Sequence, residues 1–462
     1  MAVPRLKPAV GQVLGVAKTP TKKGTTVNNK YQKNALKTST GPGLAVPDEV
    51  TIAMGEIADD LREGLLALAV GAGLQVMGSL MEADVVAVCG PRGKHDPERT
   101  AVRHGSERGS VTLGGRRVGV ERPRMRASDG AGEVPVPAYE LFSRSEILGR
   151  MALSKMLGGL SSRRYAVGLE PVGEKVERAA SATSKSAVSR RFVAMTKTAL
   201  SELLAAPLGH LDLVALMIDG VHFGEHLCVV ALGIGIDGTK HPLGLVEGST
   251  ENTTVVTDLL ADLRERGLDT TRPILVGIDG GKALHAGIMA VFDHPVIQRC
   301  QMHKLRNVAD KLPDDLAKTV TKKMRAAYHA PTAIIAEAQL EALARELEHT
   351  HPGAAGSLRE GLSETLTVLR LGVPPTLART LRSTNCIESM ISICRNHSTN
   401  VKNWQSGDMA LRWCAAGLVE AGKQFRRVNG HLHLPVLRAA LQRHVAEQSV
   451  GADRHDETVN VA

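Results

Sequence analysis

The sequence predicts a mixed α/β protein in which a sheet-containing domain is flanked by helical segments. Apolar runs punctuated by Gly and Asp fill residues 211–300, a pattern typical of buried strands. Before and after that stretch, apolar residues recur at three- and four-residue spacing, which is typical of amphipathic helices. With 462 residues, the chain is long enough for two or three domains.

The composition narrows the classes of function. A net charge of +9 favours contact with a polyanion, nucleic acid before an anionic membrane surface. We recognise no run of about 18 apolar residues and no leader-type segment, so we expect neither a membrane span nor a secretory signal. Six scattered cysteines without a CxxC pair indicate a reducing cytoplasm. The aromatic content of 2% argues against binding of single strands by a row of stacked rings.

The N-terminal segment, residues 1–45, is predicted to be a flexible basic arm. Eight lysine and arginine residues lie within 1–43, and no acid precedes Asp48. Such a segment either lies along phosphates or is an ordinary solvated tail, and the sequence leaves both alternatives open.

Residues 46–205 are predicted to form a mainly helical DNA-binding region. After a helix over 49–83, residues 110–126 have the pattern of a β-hairpin that turns at the Gly114-Gly115 dipeptide. The hairpin is rich in arginine, which favours phosphate contact over a merely solvated edge strand. The candidate DNA-binding residues of the hairpin are Arg116, Arg117, Arg122 and Arg124.

Two amphipathic helices are predicted next, over 159–173, opened by Ser161 or Ser162, and over 184–200. Basic and hydroxyl side chains near the start of the second helix suit a helix-turn-helix reader of the major groove. Plain helical packing is the alternative. The candidate contacts are Lys185, Ser189, Arg190 and Arg191.

From residue 211 the pattern predicts three consecutive strands, then helix, strand, helix, strand, which is the order of an RNase H-like sheet. The strands are expected at 211–221, 226–237, 241–249, 273–279 and 296–300. A helix capped by Thr250 and ended by Gly267 separates the third strand from the fourth, and another is expected around 283–292. After the fifth strand the chain is predicted to be almost wholly helical.

Three acidic residues are the candidate catalytic residues. Asp219 lies at the end of the first predicted strand and Asp279 at the end of the fourth, and Glu388 lies at the start of a helical stretch. Three converging anions repel one another unless a cation neutralises them, and hard oxygen ligands suit Mg²⁺ or Mn²⁺. Two such ions support in-line phosphoryl transfer. Taken singly, an Asp after a strand is more often a turn or capping residue, so the combination is what counts.

Other motifs are weaker. GIDGGKA (277–283) lacks residues that a phosphate-binding loop requires, and Gly233, Gly235 and Gly238 precede a strand instead of a helix. Two Cys-x-x-His pairs, Cys300/His303 and Cys394/His397, could supply four zinc ligands. The favoured interpretation is that the cysteines are core residues and the histidines face DNA or the active site.

The sequence resembles the Mutator-type transposases of bacterial insertion sequences. The resemblance is carried by residues 218–220, 233–250, 278–280, 297–307 and 384–389. It implies a DDE recombinase with an RNase H-like fold and a helical insertion before Glu388, and a site in which Asp219, Asp279 and Glu388 hold two Mg²⁺ or Mn²⁺ ions. It further implies that His303 and Arg306 hold DNA or order the site. Arg395, on the same predicted helix face as Glu388, is a further candidate DNA contact.

The resemblance also organises the chain. The expected parts after residue 205 are a first core segment over 206–312, a helical insertion over 313–378, a second core segment over 379–430 and a C-terminal helix and tail over 431–462. The implied partners are double-stranded DNA, as terminal inverted repeats and target, and further copies of the chain in a homodimer or larger assembly. A DNA-binding relative that no longer cuts, and an RNase H-like nuclease or resolvase, remain the alternative functions.

Overall fold

The computed structural model describes residues 48–94, 96–248 and 252–459. The predicted basic arm therefore lies outside the described residues. The chain comprises two units, Met1–Leu61 and Arg62–Ala462. What is described of the first unit is the beginning of helix α1 (Asp48–Cys89). All further elements belong to the second unit.

Helix α1 confirms the helix predicted over 49–83 and extends it. Its Gly64–Cys89 stretch is long and apolar enough to cross a membrane by length and composition, so the expectation that the chain has no such run is wrong. Leu65 and Leu68 in this stretch are exposed, whereas Met81 and Val85 are buried. The C-terminal turns of α1 therefore belong to a protein core.

The predicted hairpin is confirmed. Strands β1 (Ala101–Leu113) and β2 (Arg116–Ala127) pair antiparallel, with Leu113 opposite Arg116, and a short strand β3 (Glu133–Val134) pairs with β2. Gly114 and Gly115 have φ of +53° and +78°, the left-handed backbone that this turn requires and that glycine adopts without strain.

Four helices follow: α2 (Pro137–Ser143), α3 (Glu146–Leu157), α4 (Glu174–Ala179) and α5 (Lys185–Ala205). The helix predicted over 159–173 is wrong, because that segment contains turns and a single 3₁₀ turn, Ala166–Gly168. Gly159 adopts a φ of +93°, which ends regular helix after α3. The apolar Tyr165 and Leu169 are instead buried individually within irregular backbone.

The central sheet has five strands in the order β6-β5-β4-β7-β8. Strand β5 pairs antiparallel with both β4 and β6. Strand β7 pairs parallel with β4, and β8 pairs parallel with β7. Each strand confirms its prediction in type and place. Their bounds are β4 (Leu213–Phe223), β5 (His226–Gly235), β6 (Lys240–Gly248), β7 (Ile274–Ile278) and β8 (Pro295–Arg299).

Two helices connect the later strands and cover one face of the sheet, α6 (Thr253–Glu265) and α7 (Lys282–Val291). The residue that caps α6 is Asn252, whose side chain accepts a hydrogen bond from the Val255 N–H at 3.0 Å. The predicted cap, Thr250, lies outside the described residues. Gly267, with a φ of +98°, follows the end of α6 as predicted.

The rest of the described chain is helical, as predicted. The helices are α8 (Gln301–Ala309), α9 (Asp314–Ala327), α10 (Ala333–Glu348), α11 (Pro352–Arg359), α12 (Leu362–Thr365), α13 (Thr367–Arg370), α14 (Pro375–Leu381), α15 (Asn385–His397), α16 (Gly407–Gln424) and α17 (Leu434–Val459). Helices α8 to α12 share a hydrophobic core of their own, whereas α14 to α17 pack on the second face of the sheet.

Buried hydrogen bonds attach this helical insertion to β8. The Gln298 side chain donates to the Thr365 carbonyl at 3.0 Å and accepts from the Val368 N–H at 2.8 Å. The Thr367 hydroxyl donates to the Ile297 carbonyl at 2.7 Å. Because these groups are buried, each bond that is lost would leave a polar atom without a partner. The insertion is thus held in one position against the sheet.

Candidate active site

Asp219 and Asp279 lie side by side because of the sheet register. Strands β4 and β7 pair in parallel with Met217 opposite Gly277, so two residues further along Asp219 is opposite Asp279. Neighbouring strands are about 4.8 Å apart. Asp279 directly follows β7, as predicted, whereas β4 continues to Phe223 and Asp219 lies inside it. The register therefore brings the two aspartates together.

Glu388 comes from helix α15 on the face of the sheet to which these aspartates belong. Side chains alternate along a strand, so Asp219 shares a face with Ala215 and Met217. Those two residues pack in the core that includes Ile387 and Met390 of α15. Glu388 occupies the first turn of this helix, as predicted.

Each aspartate uses one oxygen in a local hydrogen bond. Asp219 Oδ1 accepts from the Gly220 N–H at 2.8 Å, and Asp279 Oδ1 accepts from the Gly281 N–H at 2.9 Å. Among the described residues, neither Oδ2 atom accepts a hydrogen bond. One oxygen of each carboxylate is therefore fixed by the backbone while the other remains available to a ligand.

The pKa of Asp219 is raised to about 6, mainly by burial and in addition by the negative charges of Asp279 and Glu388. The hydrogen bond from Gly220 and the nearby His303 act in the opposite direction but do not cancel this rise. An aspartate with such a pKa is held in a position that disfavours its own charge. A cation at this place would reverse that penalty.

Glu388 is oriented by a threonine that precedes it by one helical turn. The buried Thr384 hydroxyl donates to Glu388 Oε1 at 2.6 Å. The same Glu388 oxygen lies 3.9 Å from His303 Nδ1, on helix α8. The Thr384 N–H in turn donates to the Cys300 sulfur at 3.5 Å. Glu388, Thr384, His303 and Cys300 thus form one contiguous group, called here the Glu388 cluster.

The Cys300 and His303 side chains in the Glu388 cluster alter each other's pKa. Burial raises the pKa of the Cys300 thiol, but its contacts with His303 and Thr384 outweigh burial and hold the pKa below its ordinary value. The neighbouring sulfur raises the pKa of His303 against the effect of burial, and the charges of Glu388 and Asp279 add to the rise. The prediction that His303 lies beside the catalytic residues agrees with this arrangement.

The donor set fits a divalent cation. Three carboxylates, one of them buried with a raised pKa, are the hard oxygen ligands that Mg²⁺ and Mn²⁺ prefer. Within the described part of the chain, the group whose potential ligand atoms all lie within 4.8 Å of one another is Cys300, His303 and Glu388. Glu388 is therefore turned towards His303 and Thr384 in this arrangement instead of closing tightly on the two aspartates.

The zinc alternative based on both Cys-x-x-His pairs is not supported by the geometry. Cys394 is buried in the core beside the Cys414 carbonyl, and His397 Nδ1 lies 2.8 Å from the Leu157 carbonyl oxygen. In the described residues, the four side chains do not form one group with metal-ligating distances. The second pair therefore has a packing role.

The hairpin arginines are occupied by acidic partners. Arg116 is buried and forms an ion pair with Glu177, in which Arg116 Nη2 lies 2.8 Å from Glu177 Oε2. Arg124 donates to Glu133 through two nitrogens, at 3.0 and 2.8 Å, and Arg122 pairs with Glu107. The buried Arg116 in particular cannot reach a phosphate without breaking its ion pair, so its geometry argues against the predicted DNA contact. Sequence reasoning missed these glutamates.

Arg117 has a comparable local role, because its guanidinium donates to the Ser143 carbonyl. On α5, Lys185, Ser189 and Arg190 are exposed, which keeps them available as the predicted contacts. Arg191 is half-buried and donates to the Ala182 carbonyl at 2.5 Å.

Arg306 on α8 and Arg395 on α15 are both exposed. They lie respectively three and seven residues beyond His303 and Glu388, so each stands about one or two turns along the helix from the Glu388 cluster. These placements agree with a role beside the site, and the contact with DNA remains a prediction.

Arg299 is a further residue of this site that sequence reasoning missed as functional. Its guanidinium donates to the Gly280 carbonyl at 3.2 Å, next to Asp279, and pairs with Glu364 of the insertion. Gly361, with a φ of +58°, lies so close that a Cβ there would be 2.4 Å from Arg299 Nε. The insertion therefore packs directly on the loop that carries Asp279.

The fold and the site together define an α/β protein with two adjacent aspartates and with Glu388 on the same face of the sheet; these three residues are called here the three-carboxylate centre. A helical insertion separates Asp279 from Glu388 along the chain. Comparison with known proteins then gives the family. The model of the Mutator family of transposases matches residues 58–428, and the chain belongs to that family.

The curated relatives are transposases of insertion sequences. The chain is 28% identical over 369 residues to the transposase for insertion sequence element ISRM5 of Rhizobium meliloti, covering 79% of this chain and 90% of the relative. It is 27% identical to the transposase for insertion sequence element IS6120 of Mycolicibacterium smegmatis, covering 61% of this chain and 87% of that relative. A probable insertion-sequence transposase of Corynebacterium diphtheriae is 30% identical, over 42% of this chain and 56% of that relative.

Proposed function

We propose that the protein is a DDE-type DNA transposase with an RNase H-like catalytic domain. In this proposal it binds the terminal inverted repeats of its insertion sequence and catalyses metal-dependent strand cleavage and strand transfer. The observation that carries the proposal is that Asp219 and Asp279 lie side by side, with Glu388 on the same face of the sheet, and that the pKa of Asp219 is raised to about 6. Membership of the Mutator family supports the substrate class.

Asp219, Asp279 and Glu388 would hold two Mg²⁺ or Mn²⁺ ions. Such ions, when bound, stabilise the attacking and the leaving oxygen of an in-line phosphoryl displacement. The aspartates present their free Oδ2 atoms from the central strand β4 and from the end of β7, and Thr384 orients Glu388. His303, with its raised pKa, presents positive charge towards the same carboxylates and a nearby phosphate. The reaction class is phosphodiester hydrolysis followed by attack of a DNA 3′-hydroxyl.

Transposition joins two DNA ends, so the proposal includes a homodimer or larger assembly on double-stranded DNA. It also places the protein in the cytoplasm, at the nucleoid. The exposed Lys185, Ser189 and Arg190 at the start of α5 are the proposed readers of the terminal repeats. The alternative of a relative that binds without cutting is disfavoured by the complete carboxylate set. A nuclease or resolvase is disfavoured by the large insertion.

The test uses purified full-length protein, DNA carrying the element ends, and Mg²⁺ or EDTA. Asp219→Asn, Asp279→Asn and Glu388→Gln are expected to bind the ends but to lose cleavage by at least about a thousandfold. Asp258→Asn, at an exposed position on α6, is the matched control and should cleave like wild type. Cleavage by the three variants at the wild-type rate refutes the carboxylate assignment. Binding without any cleavage by wild type supports the non-cutting relative.

A further inference from the structure

A cleft lies where the insertion meets the start of helix α15. It consists of two cavities, of about 560 Å³ and about 170 Å³, that share the lining residues Gln301, Tyr328, His329, Arg379 and Arg382. The larger volume is within the range of sites that hold small organic groups. None of these residues belongs to the three-carboxylate centre. The Gln301 side chain donates to the Thr365 carbonyl of the insertion at 2.9 Å.

The rim of the cleft carries positive charge that no acid neutralises. Arg325 and Arg379 are exposed, and Arg382 is half-buried. Among the described residues, no carboxylate oxygen lies within 4.0 Å of these three guanidinium groups. Arg382 Nη1 instead lies 3.3 Å from His329 Nδ1. Burial and the positive charge of Arg379 lower the pKa of Arg382. Cations arranged in this way favour an anionic ligand such as a phosphodiester.

The floor of the cleft is formed by the ring of Tyr328, which lines both cavities. This side chain is 6% exposed, and its hydroxyl is shielded from solvent beside the Thr365 side chain. Burial raises the pKa of Tyr328 to about 12, which keeps the hydroxyl protonated. The ring therefore offers a flat apolar surface to a ligand in the cleft.

The remaining lining is largely apolar. Val368, Val373, Pro375 and Ala378 face the larger cavity. A cavity with an apolar wall, a tyrosine ring and a cationic rim matches a ligand that combines a flat or apolar body with a phosphate. A nucleotide has this combination of chemical groups.

The cleft also adjoins the proposed catalytic centre. Gln301 precedes His303 by two residues on α8, and its N–H donates to the Arg382 carbonyl at 3.0 Å. Asn385, which lines the smaller cavity, lies one helical turn before Glu388 on α15. The cleft and the proposed catalytic centre are therefore built from residues of the same two helices, α8 and α15.

We propose that this cleft binds one nucleotide of a DNA strand, with its phosphate between Arg379 and Arg382 and its sugar or base against Tyr328. The proposal rests on the proposed function, because it takes the DNA at the carboxylates as the source of the nucleotide. This subsite is separate from the DNA contacts predicted above, which lie on the hairpin, on α5 and at His303, Arg306 and Arg395. An unpaired nucleotide fits it better than a stacked base pair, since the cavity admits a single nucleotide body.

Binding of a short fluorescein-labelled single-stranded oligonucleotide, in EDTA at fixed salt, tests the phosphate contact. Arg379→Gln is expected to weaken binding about tenfold, the loss typical of one charge-assisted hydrogen bond. Arg345→Gln is the matched control, because Arg345 is an exposed cation of α10 that lines neither cavity. It removes the same charge and should bind like wild type. Equal affinities for the two variants overturn the proposal.

Photocrosslinking locates the bound nucleotide directly. An oligonucleotide with one 5-iodo-deoxyuridine should crosslink to Tyr328 or His329, as identified by mass spectrometry of the peptides, and crosslinks confined to other segments overturn the proposal. A free deoxynucleoside monophosphate should compete weakly, and competition equal to that of the oligonucleotide means that the cleft takes a free nucleotide.

These measurements need no cleavage. Loss of binding in Arg379→Gln alongside an inactive wild type would therefore sink the proposed function and leave the cleft standing.

Discussion

At the scale of single residues, the carboxyl group of Asp219 makes the stability of the metal-free protein depend on pH. Its pKa is about 6 in the folded chain, against an ordinary value of 3.8. The folded state therefore binds a proton more tightly than the unfolded state does. This group's contribution to stability is complete below about pH 4 and is lost as the pH rises through about 6.

We accordingly predict that Asp219→Asn stabilises the metal-free protein at about pH 8, by up to about 3 kcal/mol. The asparagine resembles the protonated carboxyl and lacks the charge that burial penalises. Melting curves in EDTA at about pH 4 and about pH 8 measure the effect, which should vanish at the lower pH. An equal stabilisation at both values would mean that the titration of Asp219 is not its cause.

The same carboxyl group should make divalent-ion binding depend on pH. A cation competes with the proton on Asp219, so the apparent affinity for Mg²⁺ should fall about tenfold per pH unit below about pH 6. Titration calorimetry with Mn²⁺ or Mg²⁺ at several pH values measures this slope. In Asp258→Asn, where the substituted residue is on the surface of α6, the slope should persist. A flat dependence between about pH 5 and 7 would count against Asp219 as a ligand.

Thr384 is a positioning residue that can be tested at the same scale. Its hydroxyl donates to Glu388 Oε1 at 2.6 Å, and its side chain is buried. Thr384→Val keeps the shape and removes the donor, so cleavage should fall about tenfold to a hundredfold. Thr384→Ser restores the hydroxyl and should recover most of the activity. A purely structural role predicts instead that both variants change the melting temperature in parallel with activity.

At the scale of elements, the buried Lys304 joins helix α8 to the end of helix α11. Its Nζ donates to the Ser357 carbonyl at 2.7 Å and the Glu360 carbonyl at 2.6 Å. These carbonyls lie near the C-terminal end of α11, where a cation is also favoured by the helix dipole. The last carbonyls of a helix have no hydrogen-bond donor within the helix, and Lys304 supplies one here.

Lys304→Met should leave those carbonyls without a donor and cost about 2–3 kcal/mol. Hydrogen exchange should quicken in α11 and the neighbouring turn, while β4, β5 and β7 keep their protection. Lys318→Met is the control, since Lys318 is an exposed residue of α9 whose side chain is 77% accessible. Exchange that quickens equally in the sheet would show that the insertion and the sheet unfold as one unit.

The sheet elements were predictable because their signals are local. Buried strands such as Ile274–Ile278 are apolar throughout, and Gly114-Gly115 can form the hairpin turn from its own backbone preference. The proximity of Asp219 to Asp279 also follows from strand order. The sequence did not predict how far β4 extends, because its pairing with β5 up to Phe223 depends on a partner strand.

Features that depend on distant partners could not be read from spacing. Arg116 was predicted to meet phosphate, but Glu177, 61 residues further along, takes its charge inside the fold. Thr384 looks like an ordinary residue before a helix until α8 brings Cys300 and His303 beside it. The segment 159–173 has helical periodicity, yet tertiary burial of Tyr165 and Leu169 prevailed over that local preference.

At the scale of the whole molecule, charge is distributed unevenly along the chain. Residues 1–43 contain eight lysines and arginines and no acid, while the whole chain has a net charge of +9. Removing them therefore leaves a net charge of +1. The rest of the chain is almost neutral, and several of its arginines, such as Arg116 and Arg124, are bonded to glutamates. Sequence-independent attraction to DNA should thus depend mainly on this N-terminal segment.

We predict that deletion of residues 1–43 makes the dependence of DNA affinity on salt much shallower. Each neutralised phosphate contributes about 0.9 to the slope of log affinity against log salt, so eight contacts contribute up to about 7. Affinity for a duplex without the element ends should fall most, because nonspecific binding is electrostatic. Replacement of the eight basic residues by glutamine separates charge from length and should reproduce the deletion. An unchanged slope in both proteins would show that the segment is a solvated tail and that the phosphate contacts lie elsewhere in the chain, such as at the start of α5.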